Sequence, residues 1–249
     1  MSAMDRAALL RALPYARRYA RALAGSQASG DAIVAEALRD VLAEPGPELA
    51  SDAGARTALY RAIGDRDPSA AAPDAVRDTS ALQRRLLLLT ALEEQTLSAA
   101  AAACRITPET AELELRLARD QLRSVTATRV LIIEDEPIIA LDIQELVERC
   151  GHAVVGIAAS ETEAVEIAAA ERPGLVLADI NLGAGGDGTS AVARILKVLT
   201  TPVIFVTAHP ERLLTGAAVE PAFVITKPFD PITLAVATYQ AVARGLPPV

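Results

Sequence analysis

Tryptophan is absent from this 249-residue chain, aromatic residues make up only 3% of it, and cysteine occurs twice. Cys104 and Cys150 cannot build a disulfide framework, and their spacing matches no metal-ligand pattern, so both read as small apolar packing residues. A core so poor in rings must be made from Ala, Leu, Val and Ile. With 51% of the residues apolar, the composition is that of a folded, helix-rich protein rather than a disordered one. Long apolar runs are missing too. The tightest, residues 86–89, is far shorter than the ~18 residues that a membrane span needs. The N-terminal MSAMDRAALLRALPYARRYA is charged throughout and lacks the apolar stretch of a signal peptide. A soluble, cytoplasmic protein is expected.

Lysine is missing from the whole first half. Residues 1–128 hold 16 Arg against 17 Asp and Glu, and residues 129–249 hold 8 basic against 15 acidic residues, so the halves carry −1 and −7 of a net −8. Neither has the positive surplus that drives binding to phosphate backbones.

What is present falls into two patterns. Residues 5–24 place Leu9, Leu10, Leu13, Ala16 and Ala20 at three- and four-residue intervals, which predicts a helix ended by Gly25-Ser26. Ser29-Gly30-Asp31 offers capping chemistry to a second helix over 33–42, and a turn-rich stretch, 44–54, leads to a third ending near Gly64. Residues 65–79, rich in Pro, Ala, Asp and Ser, read as a linker between a helical unit over 1–64 and another over 80–124. The latter has a helical run over 81–94, a short helix over 98–103, a turn at 104–106 and a longer helix over 107–122, opened by Thr107-Pro108-Glu109. That is a helix-turn-helix outline, though any helical hairpin shares it.

From residue 129 the period changes. Five short β-branched runs, 129–134, 152–158, 175–179, 202–207 and 222–226, alternate with helical stretches at 137–150, 160–171, 188–199 and 230–244. This predicts a five-stranded parallel sheet covered on both faces, with its site at the carboxyl ends of the strands.

Those ends carry chemistry. The first strand runs into Glu134-Asp135-Glu136, the third into Asp179, the fourth into Thr207 and the fifth into Lys227. Carboxylates gathered in one crevice repel each other unless a cation sits among them, and a hard divalent ion such as Mg2+ suits an all-oxygen set. With Lys227 as a fixed charge and Thr207 as a donor, the set suits in-line phosphoryl transfer onto Asp179. Singly, such an Asp is usually a cap, such a Thr packing and such a Lys-Pro solvated surface; their conjunction at four strand ends is the signal.

The motifs VLIIEDE, LADINL, FVTA and TKPF, in this order, resemble the response-regulator receiver family, which is flavodoxin-like, over residues 129–246. The resemblance implies Mg2+ held by Glu134, Asp135, Asp179 and the backbone carbonyl of Asn181, with Asp179 as phosphoacceptor. It also implies that Thr207 and Lys227 bind the phosphoryl oxygens and that a histidine kinase or phosphotransfer protein is the donor, so that the chain is phosphorylated rather than a turnover enzyme. Glu134 replaces the commoner Asp, and Val224, beside Phe223, stands where many receivers have an aromatic residue. The GAGGDG stretch, 183–188, reads as a flexible loop, His209 as a surface-loop residue, and His152 carries no claim.

In the first half, residues 5–64 and 80–124 resemble the promoter-melting and helix-turn-helix regions of an extracytoplasmic-function sigma factor. LPYARRYARALAGSQASGDAIVAEAL, with FVTAHPERLL in the second half, is similar to the PhyR family of general-stress regulators. The expected architecture is therefore an all-α sigma-like half (1–64, linker 65–79, 80–124) followed by an α/β receiver domain over 129–249. The candidate recognition helix opens with Glu109, Glu112 and Glu114, where a DNA reader needs Arg, Lys, Asn or Gln. The resemblance implies instead a partner switch, in which phosphorylation lets the sigma-like half take up an anti-sigma factor of the NepR kind and free a general-stress sigma factor. Two readings stand beside it. A DNA-binding regulator is disfavoured by the acidic helix, and a phosphatase by Asn181 in place of a second acid-base carboxylate.

Overall fold

The computed structural model describes residues 3–67, 80–122, 127–208, 213 and 223–243. The chain divides into two compact units, Met1–Gln121 and Leu122–Val249.

Every regular element among the described residues of the first unit is helical. α1 (Ala3–Ala24) buries Ala8, Leu9, Ala12, Ala16, Tyr19, Ala20 and Leu23, a stripe at helical spacing whose small residues admit close neighbours. α2 (Gln27–Ala43) starts six residues before the expected position, because Ser26 rather than the 29–31 stretch is its cap, accepting from Ser29 N. Gly30 and Asp31 serve packing instead. A Cβ at Gly30 would come within 2.7 Å of Arg21, and Asp31 accepts hydrogen bonds from Arg17 and the fully buried Arg21. The connector holds a 3-10 turn, Pro47–Ala50, and Ser51 caps α3 (Asp52–Gly64).

The run expected over 81–94 is not one regular helix. α4 (Ala81–Leu87), opened by a Ser80/Gln83 capping box, passes into a π-helical turn, Leu88–Leu92, and ends at Glu94 with φ of 53°. Leu86 to Leu89 are at most 1% exposed, so this apolar run is core. α5 (Leu97–Cys104), a left-handed Arg105 and α6 (Pro108–Leu122) complete the helix-turn-helix, with Thr107 accepting from Thr110 N as the sequence predicts. Most of the expected linker, residues 68–79, lies outside the described residues.

The second unit is a five-stranded parallel sheet of order β2-β1-β3-β4-β5: β1 (Arg129–Ile133), β2 (Ala153–Ala158), β3 (Leu175–Ala178), β4 (Val203–Thr207) and β5 (Phe223–Thr226). The helices are α7 (Pro137–Arg149), α8 (Glu161–Glu171), α9 (Gly188–Leu196) and α10 (Pro231–Ala243). Leu131, Ile133, Val176 and Phe205 of the sheet pack with Ala164, Ala168 and Ile195 of α8 and α9 in one core. The chain leaves β1 toward β2 on one side and returns to β3 on the other. The carboxyl ends of β1 and β3 therefore flank the topological switch point, where doubly wound sheets place their ligands.

Candidate phosphoacceptor site

β1 and β3 run in register, Ile133 beside Ala178, and Asp179 N donates to Ile133 O at 2.8 Å, so the residues that follow, Glu134 and Asp179, emerge side by side. On the far side Thr207 pairs with Thr226, and Lys227 N donates to Thr207 O at 2.9 Å. From there Lys227 reaches back across the crevice. Its Nζ donates to Asp179 Oδ2 at 2.7 Å and to Glu134 Oε2 at 2.6 Å. Asp179 Oδ1 accepts from Ile180 N at 2.6 Å, which fixes the carboxylate's orientation.

The electrostatics follow from burial. Glu134 is 2% exposed, and desolvation pushes its carboxyl above the ordinary range against the pull of Lys227. Burial also works against the charge on Lys227, but its hydrogen bonds to Asp179 and Glu134 outweigh that and raise its pKa. Asp135, Asp179, Asn181, Thr207 and Lys227 line one cavity of about 830 Å³. Glu134 is absent from its wall and lies under the lysine. The sequence-predicted residues are thus brought to one place, with the charges arranged as a lysine bridge rather than as a bare acidic trio.

The 183–188 stretch, read from sequence as a flexible loop, is a built turn. Gly183–Gly185 forms a 3-10 turn, Asp187 caps α9, and Gly188 N donates to Ile180 O at 2.7 Å. A Cβ at Gly183, whose φ is 51°, would come within 2.8 Å of Asp135 Oδ2, and one at Gly188 within 1.8 Å of Asp179 O. Both glycines therefore let the loop close on the acidic residues.

Among the described residues no three His, Cys, Asp or Glu side chains form a ready metal cluster. The donors nonetheless fit a hard cation. The carboxylates of Glu134, Asp135 and Asp179 supply only oxygen, and Glu134 Oε1 is a buried acceptor without a hydrogen-bond partner. Further lining comes from Ile139, Ile143 and Leu146 of α7 and from Phe229 and Pro231 at the start of α10. The strand-end motifs do not point to these, although the spacing of the three α7 residues marks a single helical face. Phe223 and Val224 are both 1% exposed, so neither presents an aromatic ring at the surface of β5. His152 is buried and accepts from Thr128 N, while His209 lies outside the described residues. In α6, Glu109 and Glu112 are exposed, but Glu114 turns inward and accepts from Gln83 Nε2 at 2.9 Å.

The family model of the response regulator receiver domain matches residues 130–239, and that of the sigma2 domain of PhyR matches residues 9–64. The phyllosphere-induced regulator PhyR of Methylorubrum extorquens is 42% identical, over 92% of this chain and 91% of its own length. Among solved structures, the response regulator PhyR of Brucella abortus is 42% identical with a TM-score of 0.85, covering 98% of this chain and 95% of that one. The anti-anti-sigma factor PhyR of Bartonella quintana is 37% identical with a TM-score of 0.84, covering 96% of each chain. The Bartonella protein has also been crystallised in complex with the anti-sigma factor NepR. With a sigma2-type helical unit and a receiver domain in one chain, similar over nearly its whole length to these regulators, the chain belongs to the PhyR family.

Proposed function

We propose that this chain is a phosphorylation-dependent anti-anti-sigma factor of the cytoplasm, whose helical unit takes up a NepR-type anti-sigma factor and so frees a general-stress sigma factor. The observation that carries the reading is the Lys227 bridge to Asp179 and Glu134, in a chain that also holds a sigma2-type unit. The Bartonella relative supports the partner, and no helix among the described residues is long and apolar enough to cross a membrane. We assign residues 1–64 and 80–124 to region 2-like and region 4-like units, 65–79 to their linker and 129–249 to the receiver.

Asp179 is the nucleophile. Its carboxylate oxygen attacks phosphorus of a phosphohistidine donor while the bond to the donor nitrogen breaks. Lys227, already in contact with Oδ2, is placed to stay with the carboxylate as it becomes an acyl phosphate and to bind the incoming phosphoryl group. Thr207, buried beside it, supplies a hydroxyl. Glu134, Asp135, Asp179 and the Asn181 carbonyl would hold Mg2+, which when bound neutralises phosphoryl charge.

Incubation with acetyl phosphate and Mg2+ is expected to add one phosphoryl group by intact mass, and Asp179→Ala to add none. Full labelling of the variant, or of wild type in chelator, would refute the site. Calorimetry with a NepR-type protein tests the partner.

A further inference from the structure

The two helical parts of the first unit meet on charges as well as on apolar side chains. Arg18 of α1 donates from Nε to Glu93 Oε1 at 2.8 Å, and from Nη2 to Glu93 Oε2 at 3.1 Å and Leu92 O at 2.9 Å. Tyr60 of α3 donates its hydroxyl to Glu93 Oε2 at 2.9 Å. The Arg18 and Glu93 side chains are 8% and 1% exposed. Three donors from residues 3–64 thus close on one carboxylate from residues 80–122. A guanidinium fork with a phenol beside it is a receptor for a carboxylate whichever chain supplies it.

Two features mark Glu93 as an occupant that can be displaced. It is delivered by a distorted segment: the π turn Leu88–Leu92 precedes it, and Glu94 follows with φ of 53°, a conformation that a residue with a side chain adopts under strain. A buried ion pair also holds a seam no more tightly than well-packed apolar groups of the same size, because both charges have been taken out of water. Water and a competing carboxylate can satisfy each half once it opens. Next to Arg18 stands Tyr15, 40% exposed, with the Arg18 guanidinium 5.7 Å and the Arg56 guanidinium 5.0 Å from its ring centre, so the cluster has a neighbour at the surface. Tyr and Arg are among the side chains that dominate binding energy at protein interfaces.

We propose that Arg18 and Tyr60 form a carboxylate-binding pocket for the protein partner, filled in cis by Glu93. An acidic side chain of the partner, arriving over Tyr15 and Arg56, displaces Glu93 and loosens residues 80–122 from residues 3–64. This rests on the anti-sigma reading above and names the chemistry of its contact.

Three full-length proteins loaded with beryllofluoride and Mg2+ test it by calorimetry against a NepR-type anti-sigma factor: wild type, Glu93→Gln, and the triple variant Arg18→Met/Tyr60→Phe/Glu93→Leu. Glu93→Gln removes the competing charge and keeps the pocket, so it is expected to bind at least tenfold more tightly than wild type. The triple variant replaces the polar seam by an apolar one; it is expected to unfold no earlier than wild type yet bind at least tenfold more weakly. Binding of the triple variant as in wild type, or Glu93→Gln binding no more tightly, overturns the proposal. If the triple variant does not fold, the Glu93→Gln arm decides. If wild type binds no anti-sigma factor, the proposed function fails, and hydrogen exchange then decides the pocket. Faster exchange over residues 97–104 in Glu93→Gln supports an occupant that can leave, and unchanged protection overturns it.

Discussion

Between Glu134 and Asp179 the Lys227 side chain, 13% exposed, carries the counter-charge for two acids whose side chains are 1% and 12% exposed. Lys227→Ala leaves both without it, and burial then drives the Glu134 carboxyl further up than it already stands. A carboxylate raised on folding makes the native state bind more protons than the unfolded one, so stability falls as pH rises through the carboxylate range. Without Mg2+, Lys227→Ala is therefore expected to lose about 1–3 kcal/mol more, relative to wild type, at pH 8 than at pH 5. Urea unfolding at the two pH values checks this, and equal losses would mean that the lysine does not hold the acids. Glu134, Asp179, Thr207 and Lys227 were legible in the sequence because each ends or directly follows a short apolar strand, and a parallel sheet collects strand ends at one edge. Arg18, Tyr60 and Glu93 were not. They meet across 75 and 33 residues of chain, and periodicity marks an inward face without saying which charged side chain will be paired inside it.

The helices and strands themselves were mostly legible, and the misses have local causes. α2 begins early because Ser26 outcompetes the 29–31 stretch as a cap, and the π turn at Leu88–Leu92 is invisible to a helical period that reads 81–94 as continuous. The turn within 183–188 was not legible, because glycine signals freedom in isolation and close approach in context, here to Asp135 and Asp179. α6 bears on function most directly. Two of its three early acids, Glu109 and Glu112, face solvent, and the third is engaged by Gln83. A helix offering carboxylates to the major groove meets repulsion from phosphates and few matching base edges. The protein, phosphorylated or not, is expected to show no sequence-preferring binding to promoter duplexes at physiological salt. Competition titration against random DNA checks this, and a preference of about 10³-fold or more would restore a DNA-reading role.

For the molecule as a whole, the phosphoryl group on Asp179 can switch partner binding only if the receiver's two states interact differently with the helical unit's ability to bind. The simplest coupling is a restraint. In it the unphosphorylated receiver would hold the helical unit in a form that does not take the anti-sigma factor, and phosphorylation would lift that hold. A restraint of about 3 kcal/mol alters affinity by more than a hundredfold. The helical unit is expected to fold without the receiver, since it has its own core: Leu23, Leu59, Ile63 and Leu86 to Leu89 are at most 1% exposed, and Arg84 ties α4 to the carbonyls of Ala22 and Leu23 at the end of α1. A fragment of residues 1–126 is thus expected to bind a NepR-type anti-sigma factor with no phosphoryl donor, while the full chain needs beryllofluoride and Asp179→Ala binds weakly under every condition. Calorimetry on the three proteins separates the possibilities. Equal affinity of the full chain with and without beryllofluoride removes the restraint, and a folded fragment that does not bind removes the sigma mimicry itself.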